Sequence, residues 1–194
     1  MTKTLVWACM VVALWSCASG NSTTIAVKIP ALSIATTHQQ LKRQQGKWFY
    51  QNKPFSGTLV EHYASGKVKT KATYYEGEKH GTAKGWYPEG QPWFERSYAH
   101  GRKHGKQSIW WQNGQLKLVA HVKNDAYEGN VKKWFRDGRL FADFNYKEGK
   151  EEGHQRIWKT DGRIKANYVV KNGRQYGLTG VKNCKSVTSK AASF

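Results

Sequence analysis

Glycine recurs with a period of 24 residues over more than half of this chain of 194 residues. The most regular series has six members: Gly57, Gly81, Gly105, Gly129, Gly153 and Gly177. A second series lies nine residues further along each unit: Gly66, Gly90, Gly114, Gly138 and Gly162. A third series has Asp125 in place of one member: Gly77, Gly101, Gly149 and Gly173. A fixed period of this length is typical of repeat proteins and disfavours an ordinary enzyme core.

Most units contain an aromatic pair that is followed by a polar turn ending on glycine. The repeat aromatics are Trp86 with Tyr87, Trp110 with Trp111, Trp134 with Phe135, and Trp158. Asn113-Gly114 and Asp137-Gly138 are typical hairpin turns, because both residue types tolerate a positive φ angle. The aromatic pair therefore predicts the end of one strand, and the glycine predicts the turn into the next.

The residues after this turn alternate between apolar and polar types. The apolar members share one face of each predicted strand: Leu116, Leu118, Ala120 and Val122; Leu140, Ala142, Phe144 and Tyr146; Ile164, Ala166, Tyr168 and Val170. Alternation with period two predicts a strand with one buried face. A lone hairpin is marginally stable in water, so neighbouring hairpins must stack. We therefore predict an all-β fold, an elongated single antiparallel sheet of tandem hairpins about 50 Å long.

The glycine periods also predict the domain boundaries, with a repeat domain at residues 46–180. Residues 46–56 form a partial unit, in which 47–50 are a strand and 51–53 a turn. Five full units follow: 57–80, 81–104, 105–128, 129–152 and 153–176. Residues 18–45 have no period and are rich in Ser, Thr, Ala and Gln, so we predict a flexible tether. Residues 181–194 are predicted to be a C-terminal tail.

Three features of the units resemble the MORN repeat, in particular the variant found in bacterial proteins of the YwqK type. They are the aromatic pair with its glycine turn (Trp86 to Gly90), Tyr-x-x-Gly turns such as Tyr98 to Gly101, and Lys-His-Gly junctions such as Lys79 to Gly81. The resemblance covers residues 46–180 and implies a scaffold that binds partners. The antitoxin role attributed to that type implies a partner toxin, although fold analogy alone does not determine function.

Residues 1–17 have the pattern of an export signal. Lys3 supplies a short basic region, and residues 5–14 are an apolar stretch too short to span a bilayer. Leu14-Trp15-Ser16-Cys17 resembles the lipobox of bacterial lipoproteins, in which the cysteine is diacylated. We predict that Cys17 is lipidated and that the chain is anchored in the bacterial cell envelope, facing the periplasm or the exterior. An ordinary secretory signal cut near Ala18 or Gly20 is the alternative.

The chain is strongly basic, with 32 Lys and Arg residues, 13 Asp and Glu residues and a formal charge of +19. This excess favours anionic partners such as phospholipid headgroups or other anionic envelope components. Basic residues concentrate around one strand and turn of unit four, which makes them a candidate anion-binding group: Lys132, Lys133, Arg136 and Arg139. The alternative is that they form the solvated face of the sheet, where Lys also prevents edge pairing.

The sequence contains no recognisable catalytic, cofactor or metal motif. His80 and His104 occupy the same position of successive units, about 10 Å apart, which is too far for two zinc ligands. We therefore predict that these junction histidines have a structural role in turns. The adjacent carboxylates of Glu151 and Glu152 point to opposite faces of a strand, which disfavours joint acid and base catalysis.

Three functions are compatible with these features. The first is a non-enzymatic, lipid-anchored binding scaffold for a protein or an anionic envelope component. The second is neutralisation of a partner toxin, which the family resemblance implies. The third is nucleic-acid binding, because aromatic residues interleave with basic ones; the repeat phase of the aromatics and the export signal disfavour it.

Overall fold

The computed structural model describes residues 27–180, and every regular element of that range is a β-strand. These residues form seventeen strands: β1 (Ser33–Ala35), β2 (Leu41–Gln44), β3 (Lys47–Tyr50), β4 (Lys53–Pro54), β5 (Gly57–His62), β6 (Val68–Tyr75), β7 (Glu78–Trp86), β8 (Pro92–Ala99), β9 (Arg102–Trp110), β10 (Leu116–Lys123), β11 (Ala126–Tyr127), β12 (Gly129–Trp134), β13 (Leu140–Lys147), β14 (Lys150–Glu151), β15 (Gly153–Trp158), β16 (Ile164–Lys171) and β17 (Arg174–Leu178).

Strands β5 to β17 form a long antiparallel meander. Their order in the sheet follows their order in the sequence, and the two-residue strands β11 and β14 pair with β10 and β13. Each 24-residue unit contributes one hairpin, such as the pairing of β12 with β13. The all-β prediction of tandem hairpins in one large antiparallel sheet is therefore confirmed.

One class of turn has a positive φ angle at two successive residues, as a type I′ turn requires. These turns connect the units, and their residue pairs are Glu76 with Gly77, His100 with Gly101, Asn124 with Asp125, Glu148 with Gly149, and Asn172 with Gly173. Asp125 has a φ of 70°. Asp tolerates this conformation better than most residues, which explains how the third glycine series continues through an aspartate.

The turn after each aromatic pair has a different conformation from the one predicted. Only the glycine has a positive φ, for example 84° at Gly114 and 86° at Gly138, whereas Asn113 and Asp137 do not. The register of the two strands also shifts at the first aromatic residue of each pair. This geometry is a turn with a glycine bulge rather than a two-residue turn.

Because of this bulge, one residue of the predicted apolar faces is exposed. Ala166, Tyr168 and Val170 are buried as predicted, but the side chain of Ile164 is 47% exposed. The register shifts between the pairs Ile157–Ala166 and Trp158–Ile164, so the alternation does not extend through the bulge. The first apolar residue of the strand therefore lies outside the buried row.

The core of the repeats is a thin apolar layer on one face of the sheet. Ala120, Val131 and Ala142 are completely buried in it, and Phe144 packs against them. Small residues in neighbouring strands allow the larger aromatic side chains to cover them. The layer continues into the last unit through Ile157, which contacts both clusters.

The prediction of a flexible tether at residues 18–45 is wrong for its last part. Strand β1 pairs in parallel with β5, and β2, β3 and β4 form a separate three-stranded sheet. The sequence predicted one sheet, whereas the structure has the large sheet and this small second one. The physical reason is that the first repeat would otherwise expose its apolar end, which terminal units of repeat proteins must cover. Ile34, Leu41 and Phe55 are buried in this covering layer.

The hairpin of β2 and β3, residues 41–50, is called the N-terminal hairpin below. It docks on the main sheet through backbone hydrogen bonds, in which the Trp48 N–H donates to the Gly77 carbonyl at 3.0 Å. The Gly77 N–H in turn donates to the Phe55 carbonyl at 2.8 Å. The predicted strand at 47–50 and the turn that follows it are present.

The predicted signal peptide, the lipidation site Cys17 and the tail at 181–194 lie outside the described residues. Within residues 27–180, no helix is long and apolar enough to cross a membrane.

Candidate functional site

The repeat aromatics link consecutive units through hydrogen bonds. The Tyr63 hydroxyl donates to the Trp86 carbonyl at 2.8 Å, and the Tyr87 hydroxyl donates to the Trp110 carbonyl at 2.9 Å. The next unit continues the series, since Trp111 Nε1 donates to the Trp134 carbonyl at 3.2 Å. Tyr63, Tyr87 and Trp111, each the second residue of its pair, are therefore structural contacts between repeats.

The four basic residues predicted as an anion-binding group do not lie together on one face. Lys132 and Lys133 are adjacent in strand β12, so their side chains point to opposite faces. Lys133 Nζ lies 5.5 Å from the ring centre of Phe144, on the core face. Arg139 pairs with Asp137 at 2.6 Å, which lowers the pKa of that carboxyl and neutralises the cation. Arg136 remains exposed at the turn.

A different group of cations lines a cleft between the N-terminal hairpin and the main sheet. The cleft has a volume of about 530 Å³ and a partly open mouth. We call it the cationic cleft, and its charged lining residues are Arg43, Lys47, Glu78, Lys79, Lys103 and Asp125. Its aromatic walls come from Trp48, Tyr74 and Tyr98.

Lys79 is the most buried cation of this cleft. Burial lowers the pKa of its ammonium group, and the positive charges of Arg96, Arg43 and Lys103 lower it further. Its Nζ lies 5.1 Å from the ring centre of Tyr98, which attracts a cation through its π face. The five ion pairs among residues 27–180 do not include Lys79. A cation in this position would bind an anion with little competition from carboxylates.

The rim of the cleft contains one ion pair and one structural carboxylate. Lys47 of the N-terminal hairpin pairs with Glu78 of β7 at 3.0 Å, so these two charges cancel. Asp125 Oδ1 accepts the backbone N–H of Lys103 at 2.9 Å and so fixes the neighbouring turn. The remaining cations, Arg43, Lys79 and Lys103, dominate the potential of the cleft.

A smaller depression adjoins the cleft and shares Lys103 and Asp125 with it. Arg96 and Gln107 also line this depression. The side chain of Gln107 is buried, and its Nε2 donates to the Ser97 carbonyl at 3.0 Å. Its Oε1 has no hydrogen-bond partner within the described residues. This oxygen has almost no exposed surface, so its missing partner belongs to the packing beneath the depression and offers no contact to a bound molecule.

No group of three or more His, Cys, Asp or Glu side chains that could hold a metal ion exists within residues 27–180. His80 Nδ1 accepts the His100 N–H at 3.5 Å, and the two rings lie 5.1 Å apart, consistent with the structural role predicted for this junction. Glu151 accepts the hydroxyl of Tyr168 at 3.0 Å.

Two of the cations that line the cationic cleft belong to a motif that was recognised in the sequence. Lys79 and Lys103 stand at the Lys-His-Gly junctions, where the repeat pattern explained them as turn residues. Arg43 lies in the segment predicted to be a tether, and Trp48 lies in the partial unit at residues 46–56. No repeat position therefore connected either residue with Lys79 or Lys103. The docking of the N-terminal hairpin brings these two groups together.

The fold and the cleft define a β-hairpin repeat protein with an open sheet and a basic surface. Residues 79–100 and 103–124 each match the MORN repeat variant. These segments lie in units one to three, and repeats of this type are non-catalytic modules associated with binding. A search for curated relatives of similar sequence gave no match.

Proposed function

We propose that the chain is a non-enzymatic binding scaffold of the bacterial envelope that holds an anionic partner, with an anionic lipid surface as the first candidate. The observation that supports this proposal is the uncompensated positive charge of the sheet. The chain has 32 basic and 13 acidic residues, and residues 27–180 contain five ion pairs. Most cations are therefore available to an external anion.

The open sheet suits a partner that is extended rather than small. Each Lys or Arg near an anionic membrane surface contributes about 1 kcal/mol, and the contribution falls off within a Debye length of ~8 Å at physiological salt. Binding through several such residues would therefore depend steeply on salt. This dependence separates an electrostatic partner from an apolar one.

The proposed envelope location depends on lipidation of Cys17. Replacing this residue by Cys17→Ala is expected to move the protein from the membrane fraction to the soluble fraction, because the thiol that carries the lipid is lost. Metabolic labelling with an alkynyl fatty acid should mark the unchanged chain and not the variant. An unlabelled wild-type chain would refute the anchor, but not the binding of anions.

The test of anion binding is co-sedimentation of the chain from residue 18 onward with phosphatidylglycerol vesicles, with phosphatidylcholine vesicles as the control. We expect binding at low salt that weakens as salt increases. Of the four basic residues of unit four, Lys132 and Arg136 are exposed and take part in no ion pair within the described residues. Joint replacement of these two by Gln should weaken binding further. The exchange Lys132→Arg with Arg136→Lys keeps the charge and should preserve binding.

Two results would contradict this proposal. One is an absence of binding to anionic vesicles at low salt. The other is equal binding by the Gln variant and the charge-preserving variant. In either case the positive charge would serve solubility and protection of sheet edges, and the scaffold would require a protein partner.

A further inference from the structure

The cations of the cleft occupy repeat positions that are not basic elsewhere in the sheet. Lys79 and Lys103 correspond to Tyr127 and Glu151 in the later units, at steps of 24 residues. Arg96 occupies the position that is filled on the core face by three other residues in the units after it: Ala120, Phe144 and Tyr168. The fold therefore does not require a cation at either position, and the three cations are a local feature of the N-terminal units.

The N-terminal hairpin completes this local feature. It contributes Arg43 and Trp48, neither of which belongs to a full repeat unit, to the wall opposite the sheet. The guanidinium carbon of Arg43 lies 5.9 Å from the ring centre of Trp48, a contact that orients its charge. The cleft exists only where this hairpin covers the sheet, so the later units contain no copy of it.

The charge of the cleft and its adjoining depression suits more than one negative group. Arg43, Lys79, Arg96 and Lys103 give four positive charges, and Asp125 gives one negative charge. Lys47 and Glu78 cancel each other. The net value of about +3 matches a ligand with two phosphate groups, which are strong acceptors for Lys and Arg donors.

We propose that the cationic cleft and its adjoining depression bind a ligand that carries two phosphate groups. The phosphates would contact Arg43, Lys79, Arg96 and Lys103. This inference rests on the proposed function as an anion-binding scaffold and specifies one site and one ligand chemistry. The same chemistry occurs in free sugar bisphosphates and in the headgroup of diphosphatidylglycerol, which has two phosphates on a glycerol with one free hydroxyl.

The first experiment is calorimetric titration of the full-length chain, in a zwitterionic detergent, with fructose 1,6-bisphosphate. The unphosphorylated sugar fructose is the control ligand. The double variant Lys79→Gln/Lys103→Gln should raise the Kd at least about tenfold, because two charged donors are lost. The variant Lys147→Gln/Lys171→Gln makes the same change of charge at exposed strand ends outside the cleft and should leave the Kd within about twofold.

The charge-preserving variant Lys79→Arg should retain binding, because it keeps a positively charged donor at the same position. Thermal unfolding of each variant verifies that it folds.

Titration with detergent micelles that contain diphosphatidylglycerol distinguishes the lipid source from the free one. Binding to either probe that is lost in Lys79→Gln/Lys103→Gln supports the site, and the probe that binds identifies the source. Equal affinities of the cleft variant and its charge-matched control, or no binding of either probe, would overturn it. If phosphatidylglycerol vesicles still bind in that case, the scaffold function stands and only the assignment of the cleft fails.

Discussion

The hydrogen bonds between consecutive aromatic pairs end in unit four, where the donor is missing. Tyr63, Tyr87 and Trp111 each donate from the side chain to a carbonyl of the next unit. Phe135 occupies the next position of this series and has no donor group. We predict that Phe135→Tyr stabilises the fold by donating to the Trp158 carbonyl.

The surroundings of the ring support this prediction. Phe135 lies 5.1 Å from the ring of Phe141, and Tyr87 lies 6.1 Å from the ring of Trp93 at the corresponding positions of an earlier unit. The two rings therefore have the same type of neighbour. We infer that a hydroxyl on Phe135 would reach the carbonyl of the next pair, as that of Tyr87 does.

The expected magnitude follows from the net contribution of a single hydrogen bond. Tyr87→Phe should lower the free energy of unfolding by about 1 kcal/mol, and Phe135→Tyr should raise it by about 0.5–1 kcal/mol. For a chain of this size, 1 kcal/mol corresponds to a change of about 2–4 °C in Tm and about 0.3–1 M in the urea midpoint. Because the two sites are two units apart, the double variant should show additive effects.

The assay is urea unfolding followed by both circular dichroism and tryptophan fluorescence, since coincident curves justify a two-state treatment. Tyr176→Phe is the matched control, because Tyr176 is 56% exposed and removal of its hydroxyl should have little effect. If Tyr87→Phe changes stability no more than this control does, the link contributes nothing net. If Phe135→Tyr is destabilising, the inferred direction of the hydroxyl is wrong.

Three further changes test other parts of the repeat. Gly138→Val should cost more than about 1 kcal/mol of unfolding free energy, because the φ of 86° is unfavourable for a β-branched residue, and an unchanged urea midpoint would contradict this. Gln155→Val should cost about 1–3 kcal/mol by leaving the Asn145 N–H and carbonyl unpaired, as measured by the same unfolding curves. Burial, and then the hydrogen bond to Glu151, raise the pKa of Tyr168 from 10.0 to about 12. The contribution of Tyr168 to the free energy of unfolding is therefore complete below pH 10 and is lost as the pH rises through 12. Urea unfolding at about pH 9 to 12 should show a smaller loss of stability for Tyr168→Phe than for the unchanged chain.

The repeat architecture could be predicted because local backbone geometry determines it. The turn between units requires two residues with a positive φ, and glycine is the residue that adopts this conformation at the lowest cost. A search for glycine alone misses one of these turns, because Asp125 stands at the glycine position and still adopts a positive φ. The period was therefore visible in the sequence through steric requirements alone.

The strand faces near each aromatic pair could not be predicted from alternation. A bulge adds one residue to one strand and leaves no composition signal beyond the glycine that it shares with ordinary turns. Ile164 continued the apolar series in the sequence, yet it lies at the bulge and is exposed. Period two holds only where the ladder is uninterrupted.

The cationic cleft depends on tertiary contacts between segments with different sequence patterns. Leu41 stands alone among polar residues, and Ile34 lies in a short stretch of small and apolar residues without a regular period, so neither helical nor strand periodicity identified their segment. Lys79 and Lys103 followed the repeat pattern, and Arg43 followed none. Their proximity results from the docking of the N-terminal hairpin, which is driven by burial of the apolar end of the first repeat.

A pair of glycines tests whether this docking holds the N-terminal hairpin in place. Gly77 and Gly173 occupy the same turn position, with φ angles of 82° and 73°. A Cβ atom on Gly77 would lie 2.8 Å from the Trp48 carbonyl oxygen and 3.0 Å from the Lys47 Cβ, whereas a Cβ on Gly173 would meet nothing within 4 Å. The two sites therefore differ in the contact with the hairpin.

Replacement by alanine should separate the backbone cost from the docking cost. Each of Gly77→Ala and Gly173→Ala carries the conformational penalty of a left-handed alanine, about 1–2 kcal/mol. Gly77→Ala adds overlap with the backbone of Trp48, which should cost a further ~1–3 kcal/mol or displace the hairpin. Urea unfolding measures the difference, and hydrogen exchange at the Trp48 amide reports the displacement directly. Equal destabilisation by the two substitutions, with unchanged protection of that amide, would show that the hairpin does not depend on close contact with the sheet, and the cleft would then lack the rigid wall that its proposed ligand requires.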